Sequence, residues 1–431
     1  MAGDMRMNVV YGTGEAARDL MASGLLASDT VRFASTDGGT VFWGQEVLSL
    51  EQLVSLSYER IVIASSFLHE IVSAFEKKGI DLSKVYWYFA DEKQLIAWDK
   101  LKADDPSTDE LLFAFYDLAI NPSTFDATVF AARAEMERQH LGKRGIHFVL
   151  VPSLLAGGRP GDRERYKGTN EVAWRQQYIV EAIFRLIPGF AGFTQLPARD
   201  GLVHFLNKGY SCFPANFDPA RPVDTHRTRD LVLASQQYGL EPRVFSAPSR
   251  AKAQAQQWLD GFCDGRRLIV VTLREYDFQV GRNSKLNEWR QFLSDLDPSI
   301  YAVVLVRDSD RAFEPTEALS DFISCPFASI DLNYRIALYE LAYLNLSVST
   351  GPCCLMLLSP CIRYVIFKVW LEEYSCTKES FHLERSGLAI GDSLPFADEH
   401  QKYVWADDDA AVMAEEFAAA VARLESQDNK E

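Results

Sequence analysis

Short apolar runs of five to seven residues alternate along this chain with longer stretches of helical period. That alternation is the signature of parallel strands joined by crossover helices. The fullest example is 266–367. RRLIVVTLRE (266–275) is a buried strand ending in charge, and YDFQVGRNSK (276–285) is a polar loop. LNEWRQFLSDL is an amphipathic helix, and YAVVLVRD (301–308) is a second buried strand ending in charge. LNYRIALYELAYLNLSVSTGP (332–352) predicts a helix, a short strand and a turn, CLMLL another helix, and RYVIFK a last strand. Ligands of open α/β sheets sit beyond the carboxyl ends of the strands. Here those ends carry Arg274, Glu275, Arg307, Asp308 and Ser349-Thr350-Gly351.

The same pattern opens the chain. MNVVYGTG (7–14) predicts a strand running into Gly12-x-Gly14-x-x-Ala17 and a helix, the phosphate-cradling turn of a Rossmann half. A second strand ends at Asp37, about 20 residues past the glycines, where a ribose-binding acid belongs. Residues 1–95 thus form one Rossmann-like module. Residues 96–144 read as a helical, charged connector punctuated by Pro106 and Pro122. A further α/β unit begins at Ile146, so we divide the rest into 145–262 and 263–431. In it IHFVLVPS predicts a strand, 154–170 a long loop, 171–190 an amphipathic helix and PRVFSAPS (242–249) another strand. The stretch 191–230 reads as irregular.

Composition narrows the function. The 431 residues are 48% hydrophobic, enough for two or three cored domains. A net charge of −16 excludes a general nucleic-acid binder, which neutralises phosphates with Lys and Arg. No apolar run reaches the ~20 residues of a membrane helix, and the start reads straight into a strand rather than a signal peptide. Seven cysteines without C-x-x-C spacing fit reduced thiols, so a cytoplasmic protein is expected. No H-E-x-x-H, Walker or G-x-S-x-G motif is present, so neither a metal nor a cofactor is expected.

In so acidic a chain, local cations stand out. Arg274, Arg282 and Lys285, with Glu275 and Asp277, lie on one strand-end loop and form a clamp for a diphosphate. Arg335 and Tyr339 share a helix face four residues apart. The turn Ser349-Thr350-Gly351 offers backbone donors. Arg159, Arg163, Arg165 and Lys167 make a second patch on the loop after the 146–153 strand, with Asp162 among them as a candidate base.

The order TLRE, RNSKLNEW, VVLVRD, LNYRIALYELAYLNLSVSTGP, RYVIFK resembles the donor-binding half of GT-B glycosyltransferases, chiefly the lipopolysaccharide heptosyltransferases and the fucosyltransferases. The first 90 residues resemble Rossmann modules attached to polysaccharide-biosynthesis enzymes. The resemblance implies an α/β chain of several Rossmann-like parallel-sheet domains, the last two arranged as a GT-B-like pair. It implies a metal-independent transfer of sugar from a nucleotide-sugar donor to a cell-surface glycan or lipid-linked acceptor. By it Arg274, Arg282, Lys285, Thr350 and Gly351 would contact the donor, and Asp162 would be the base. Where heptosyltransferases place Asp-Ser-Gly followed by His, this chain has Ser349-Thr350-Gly351-Pro352. Two alternatives stay open: a non-catalytic nucleotide or sugar-nucleotide binder of such a pathway, and an NAD-dependent enzyme using Gly12, Gly14 and Asp37. A homo-oligomer is compatible with either.

Overall fold

The computed structural model describes residues 7–27, 29–103, 106–154, 158–159, 161–166, 168–206 and 208–428. They divide into two units, Met1–Ser107 and Thr108–Glu431.

The first unit is built from β1 (Met7–Tyr11), α1 (Glu15–Ala22), β2 (Thr30–Ser35), the small hairpin β3 (Val41–Phe42) and β4 (Gln45–Glu46), β5 (Leu48–Ser49), α2 (Leu50–Val54), β6 (Arg60–Ile63), α3 (Leu68–Lys77), β7 (Val85–Phe89), β8 (Gln94–Ala97) and α4 (Trp98–Ala103). Its sheet runs β5-β2-β1-β6-β7-β8. All pairings are parallel except the last, in which β8 runs back along β7. Val9, Val10, Ile61 and Val62 are fully buried because helices cover both faces of this sheet.

The second unit holds two sheets. The first comprises β9 (Leu111–Asp117), α5 (Ala127–His140), β10 (Gly145–Val151), α6 (Asp162–Arg165), α7 (Thr169–Arg175) continuing through a π-helical stretch (Gln176–Glu181) into α8 (Ala182–Arg185), β11 (Phe190–Gln195), β12 (Ser211–Phe213), α9 (Thr228–Tyr238) and α10 (Ser249–Leu259). Its strand order is β11-β10-β9-β12, all parallel. The second comprises β13 (Arg267–Thr272), α11 (Leu286–Ser294), β14 (Tyr301–Val306), β15 (Ile323–Ser324), α12 (Pro326–Ile330), α13 (Leu332–Leu341), β16 (Leu344–Val348), α14 (Cys353–Leu357), β17 (Tyr364–Phe367), α15 (Glu379–Arg385), β18 (Gln401–Tyr403) and α16 (Ala410–Asp428). Its order is β15-β14-β13-β16-β17-β18, again all parallel. One apolar core, from Tyr116 and Phe148 to Val304, Ile336 and Tyr364, serves both sheets. The chain is therefore α/β with several parallel sheets. No described helix is long and apolar enough to cross a membrane.

Three sequence expectations change. The stretch 96–144 is not a helical connector: LLFAFYD is β9, paired on both sides by β10 and β12. Buried on both faces, it lacks the alternation that marks a strand and the Val/Ile content that separates strand from helix. Residues 242–249 form no strand, since Pro242 and Pro248 leave few donors for a ladder. Phe245 is instead buried singly, its amide donating to Leu358 O at 3.0 Å. The region 191–230, expected to be irregular, supplies most of β11 and all of β12.

In the last sheet, the order about β13 and β16 reverses, making their carboxyl ends the switch point at which α/β ligands bind. Lys368, at the end of β17, fastens that region together. Only 3% of its side chain is exposed, and Nζ lies 3.0 Å from Asp407, 2.8 Å from Asp408 and 2.9 Å from Asn283 O. Lys368→Met leaves the buried Asp408 carboxylate without its cation and is expected to cost about 3–5 kcal/mol in urea denaturation. Lys285→Met, at a site 40% exposed, is expected to cost under about 1 kcal/mol.

Candidate functional site

A cavity of about 260 Å³ lies in the second unit, walled by segments that follow strands. Thr124, Phe125 and Asp126 follow β9; Arg165, Tyr166, Trp174, Arg175, Tyr178 and Ile179 follow β10. Arg274, Tyr276, Phe278 and Arg282 follow β13, Asp308 to Asp310 follow β14, and Thr350 to Pro352 follow β16. Ser329 and Ile330 of α12 and Arg335 of α13 complete it. The carboxyl ends of both sheets thus contribute to one cavity. Gly351 fits one wall to the other, because a Cβ there would lie 2.9 Å from the Phe125 ring.

The β13 wall is built around Arg274. Reciprocal bonds with Ser284, amide to Oγ at 3.0 Å and Ser284 amide to Arg274 O at 2.9 Å, close the loop between them. Inside that loop the Arg274 guanidinium donates to Phe278 O at 2.6 Å, to Gln279 O at 3.2 Å and to Asn283 Oδ1. Asn283 also bonds both backbone groups of Tyr276, at 3.1 and 3.0 Å. Arg282 donates to Gln279 Oε1 at 2.9 Å and to Ser349 O at 3.4 Å. Arg335, buried on α13, donates to Ala328 O at 2.5 Å and Ser329 O at 3.3 Å.

These three guanidiniums share an unusual property: every hydrogen-bond acceptor is neutral, and none has a carboxylate within ion-pairing distance among the described residues. Burial, then the neighbouring Arg282 charge, pushes Arg274 down to about 10, so it stays charged at neutral pH. Asp308 offsets part of this charge; burial raises its carboxyl, and Oδ2 accepts the Glu275 amide at 2.6 Å. Ser329 Oγ is buried without a hydrogen-bond partner. Donors without counter-charges around a cavity make a receptor for a polyanion.

The β9 and β10 wall carries aromatics, Asp126, Arg165 and Arg175. Asp126 is exposed at the head of α5, its Oδ2 accepting the Thr124 hydroxyl at 2.6 Å. Arg175 lies 4.2 Å from the Tyr166 ring centre and 6.0 Å from that of Tyr276 across the cavity. Its Nε is 3.0 Å from Glu171, whose carboxyl is raised by burial against the pull of Arg175.

Of the residues singled out in the sequence, Arg165, Arg274, Arg282, Asp308, Arg335, Thr350 and Gly351 converge on this cavity. Ser349 stands behind it, contributing its carbonyl to Arg282. Others lie elsewhere. Glu275 is held in a two-pronged pair by Arg307, both contacts 2.7 Å. Lys285 reaches Asp407 and Asp409, each at 2.7 Å, not the cavity. Tyr339 is fully buried against Thr272, 2.8 Å between hydroxyls. Asp162 is 1% exposed, paired with Arg159 at 3.3 Å, and absent from the cavity lining. Arg163 sits on α6, and its side chain, like all of Lys167, lies outside the described residues.

In the first unit, Gly12 has φ +123° and a Cβ there would lie 2.7 Å from Ala64 O, so close packing of β1 on β6 requires glycine. Gly14 caps α1 with open space around it, and Asp37 is exposed beyond β2.

The sequence reading missed the Thr124–Asp126 wall and the aromatics of α7. Trp174 and Arg175 end α7, Tyr178 and Ile179 lie in the π-helical stretch that continues it, and all four line the cavity.

No protein-family model matches the chain, and no curated protein matches it in sequence. Solved structures similar to it include the family 9 glycosyl transferase of Veillonella parvula, with a TM-score of 0.38 and 10% identity, over 61% of this chain and 82% of that one. The E. coli ADP-heptose LPS heptosyltransferase II gives a TM-score of 0.30 and 10% identity over 98% and 100% of the two chains. A UDP-N-acetylglucosamine 2-epimerase-like protein of Listeria monocytogenes gives 0.28 and 9% over 98% and 90%. Superpositions this loose leave the functional argument to the cavity itself.

Gln279 tests that cavity's construction. Its φ of +55° is strained for a non-glycine residue, and its carbonyl and amide support Arg274 and Arg282. Gln279→Gly is expected to leave stability within about 1 kcal/mol while weakening pyrophosphate binding about tenfold. Thermal denaturation and calorimetric titration check the two halves separately.

Proposed function

We propose that this chain is a glycosyltransferase that moves a sugar from a nucleotide-diphosphate donor to an acceptor hydroxyl. The observation that carries the reading is the trio Arg274, Arg282 and Arg335, held only by neutral acceptors at a sheet switch point. A diphosphate supplies the counter-charges they lack. Ser329 Oγ and the Thr350-Gly351 turn offer it further polar contacts. The two sheets sharing one cavity are what the GT-B resemblance implies, with the donor on the β13 side and the acceptor on the β9 side.

In this reading Asp126 replaces Asp162 as the base, being the exposed carboxylate on the acceptor wall. It takes the proton from the acceptor hydroxyl as that oxygen bonds to the anomeric carbon. The bond from that carbon to the diphosphate oxygen breaks, and its electron pair leaves on the diphosphate. Guanidiniums meet the charge developing there, so the step needs no metal. The acceptor is a cell-surface glycan or lipid-linked saccharide.

Release of nucleoside diphosphate from a panel of nucleotide sugars tests the proposal. Arg274→Ala is expected to lose at least about a hundredfold in kcat/KM. Asp126→Asn is expected to keep nucleotide affinity while turnover falls about 10²–10⁴-fold. Nucleotide binding without turnover on any donor would favour a non-catalytic binding protein. NAD binding indifferent to Arg274→Ala would move the function to the first unit.

A further inference from the structure

Once the three arginines of the β13 side are given to the diphosphate, the β10 side still holds organised groups without a task. Trp174 and Tyr178, four residues apart on one helix, stack with centroids 5.4 Å apart and planes at 30°. Both line the cavity, and 45% of Tyr178 is exposed. Such a pair is a platform for the apolar face of a pyranose ring. Arg165 lines the same cavity. It ends a short turn anchored by the pairing of buried Asp162 with half-buried Arg159, and its guanidinium lies 5.6 Å from the Phe278 ring centre. Unlike Arg175, which Glu171 neutralises, Arg165 has no carboxylate within ion-pairing distance among the described residues.

We propose that this wall is a subsite for a saccharide acceptor bearing an acidic group, carboxylate or phosphate. The sugar stacks on Trp174 and Tyr178, Arg165 pairs with the acid, and a neighbouring hydroxyl faces Asp126. The proposal rests on the glycosyl-transfer reading of the cavity and adds to it the class of acceptor. An arginine over an aromatic ring is pre-organised for such a contact, since little side-chain freedom is lost on binding.

The experiment measures dissociation constants by saturation-transfer NMR for three probes: methyl glucoside, methyl glucuronide and methyl 6-phosphoglucoside. The full chain is held with a saturating nucleoside diphosphate, so that the β13 arginines are occupied. At least one acidic probe is expected to bind about fivefold more tightly than the neutral one. Which probe gains identifies the acid. Arg165→Gln is expected to erase the preference without weakening the neutral probe. Tyr178→Ala, at an exposed position, is expected to weaken all three by about two- to tenfold. Equal binding of acidic and neutral probes, a preference surviving in Arg165→Gln, or no glycoside binding beside a bound nucleotide each overturns the acceptor subsite alone. Failure of every nucleoside diphosphate to bind instead overturns the glycosyl-transfer reading, and the subsite with it.

Discussion

Holding Arg274 charged and buried, with no carboxylate within ion-pairing distance among the described residues, is the constraint on which the second unit's site depends. A guanidinium so placed is expensive to desolvate, and it persists only because the surrounding loop is shaped to present carbonyl acceptors to it. That loop is closed by the Arg274–Ser284 bonds, braced by Asn283 and strained at Gln279. Behind it, Lys368 ties Asn283 to Asp407 and Asp408, and Asp408 accepts the Trp289 indole N–H at 2.8 Å and the Lys285 amide at 2.9 Å. Strand end, loop, helix start and C-terminal segment are thus one bonded assembly. Its outcome is three guanidiniums presented to a cavity and hydrogen-bonded only to neutral acceptors.

Much of this was legible in the sequence where the physics is local. The strands β13, β14 and β16 announce themselves as apolar runs, and their ends place Arg274, Arg282 and Thr350 without knowledge of anything distant. Helix α13 likewise presents Arg335. What escaped depends on partners far along the chain. Glu275 looked like a ligand because its neutralising Arg307 lies 32 residues away. Lys285 looked like part of the clamp because Asp409, 124 residues on, is invisible from its neighbourhood. Asp162 looked like a base because burial cannot be read from a loop dense in charge.

The β9 side was the larger loss. Reading LLFAFYD as helix removed one of the two inner strands of a sheet, and with it the Thr124–Asp126 segment that follows it. An apolar run of Leu, Phe and Ala carries no period, and its type is decided by what pairs beside it. The π-helical turn that carries Tyr178 cannot be foreseen for a related reason: an i→i+5 bond arises where packing demands it, not from composition.

Calorimetric titration of one nucleoside as its monophosphate and its diphosphate tests the central claim most directly. Three guanidiniums without counter-ions predict that the diphosphate binds at least about tenfold more tightly, and that added salt weakens it more than the monophosphate. Equal affinities for the two, or a diphosphate affinity indifferent to salt, would contradict the account.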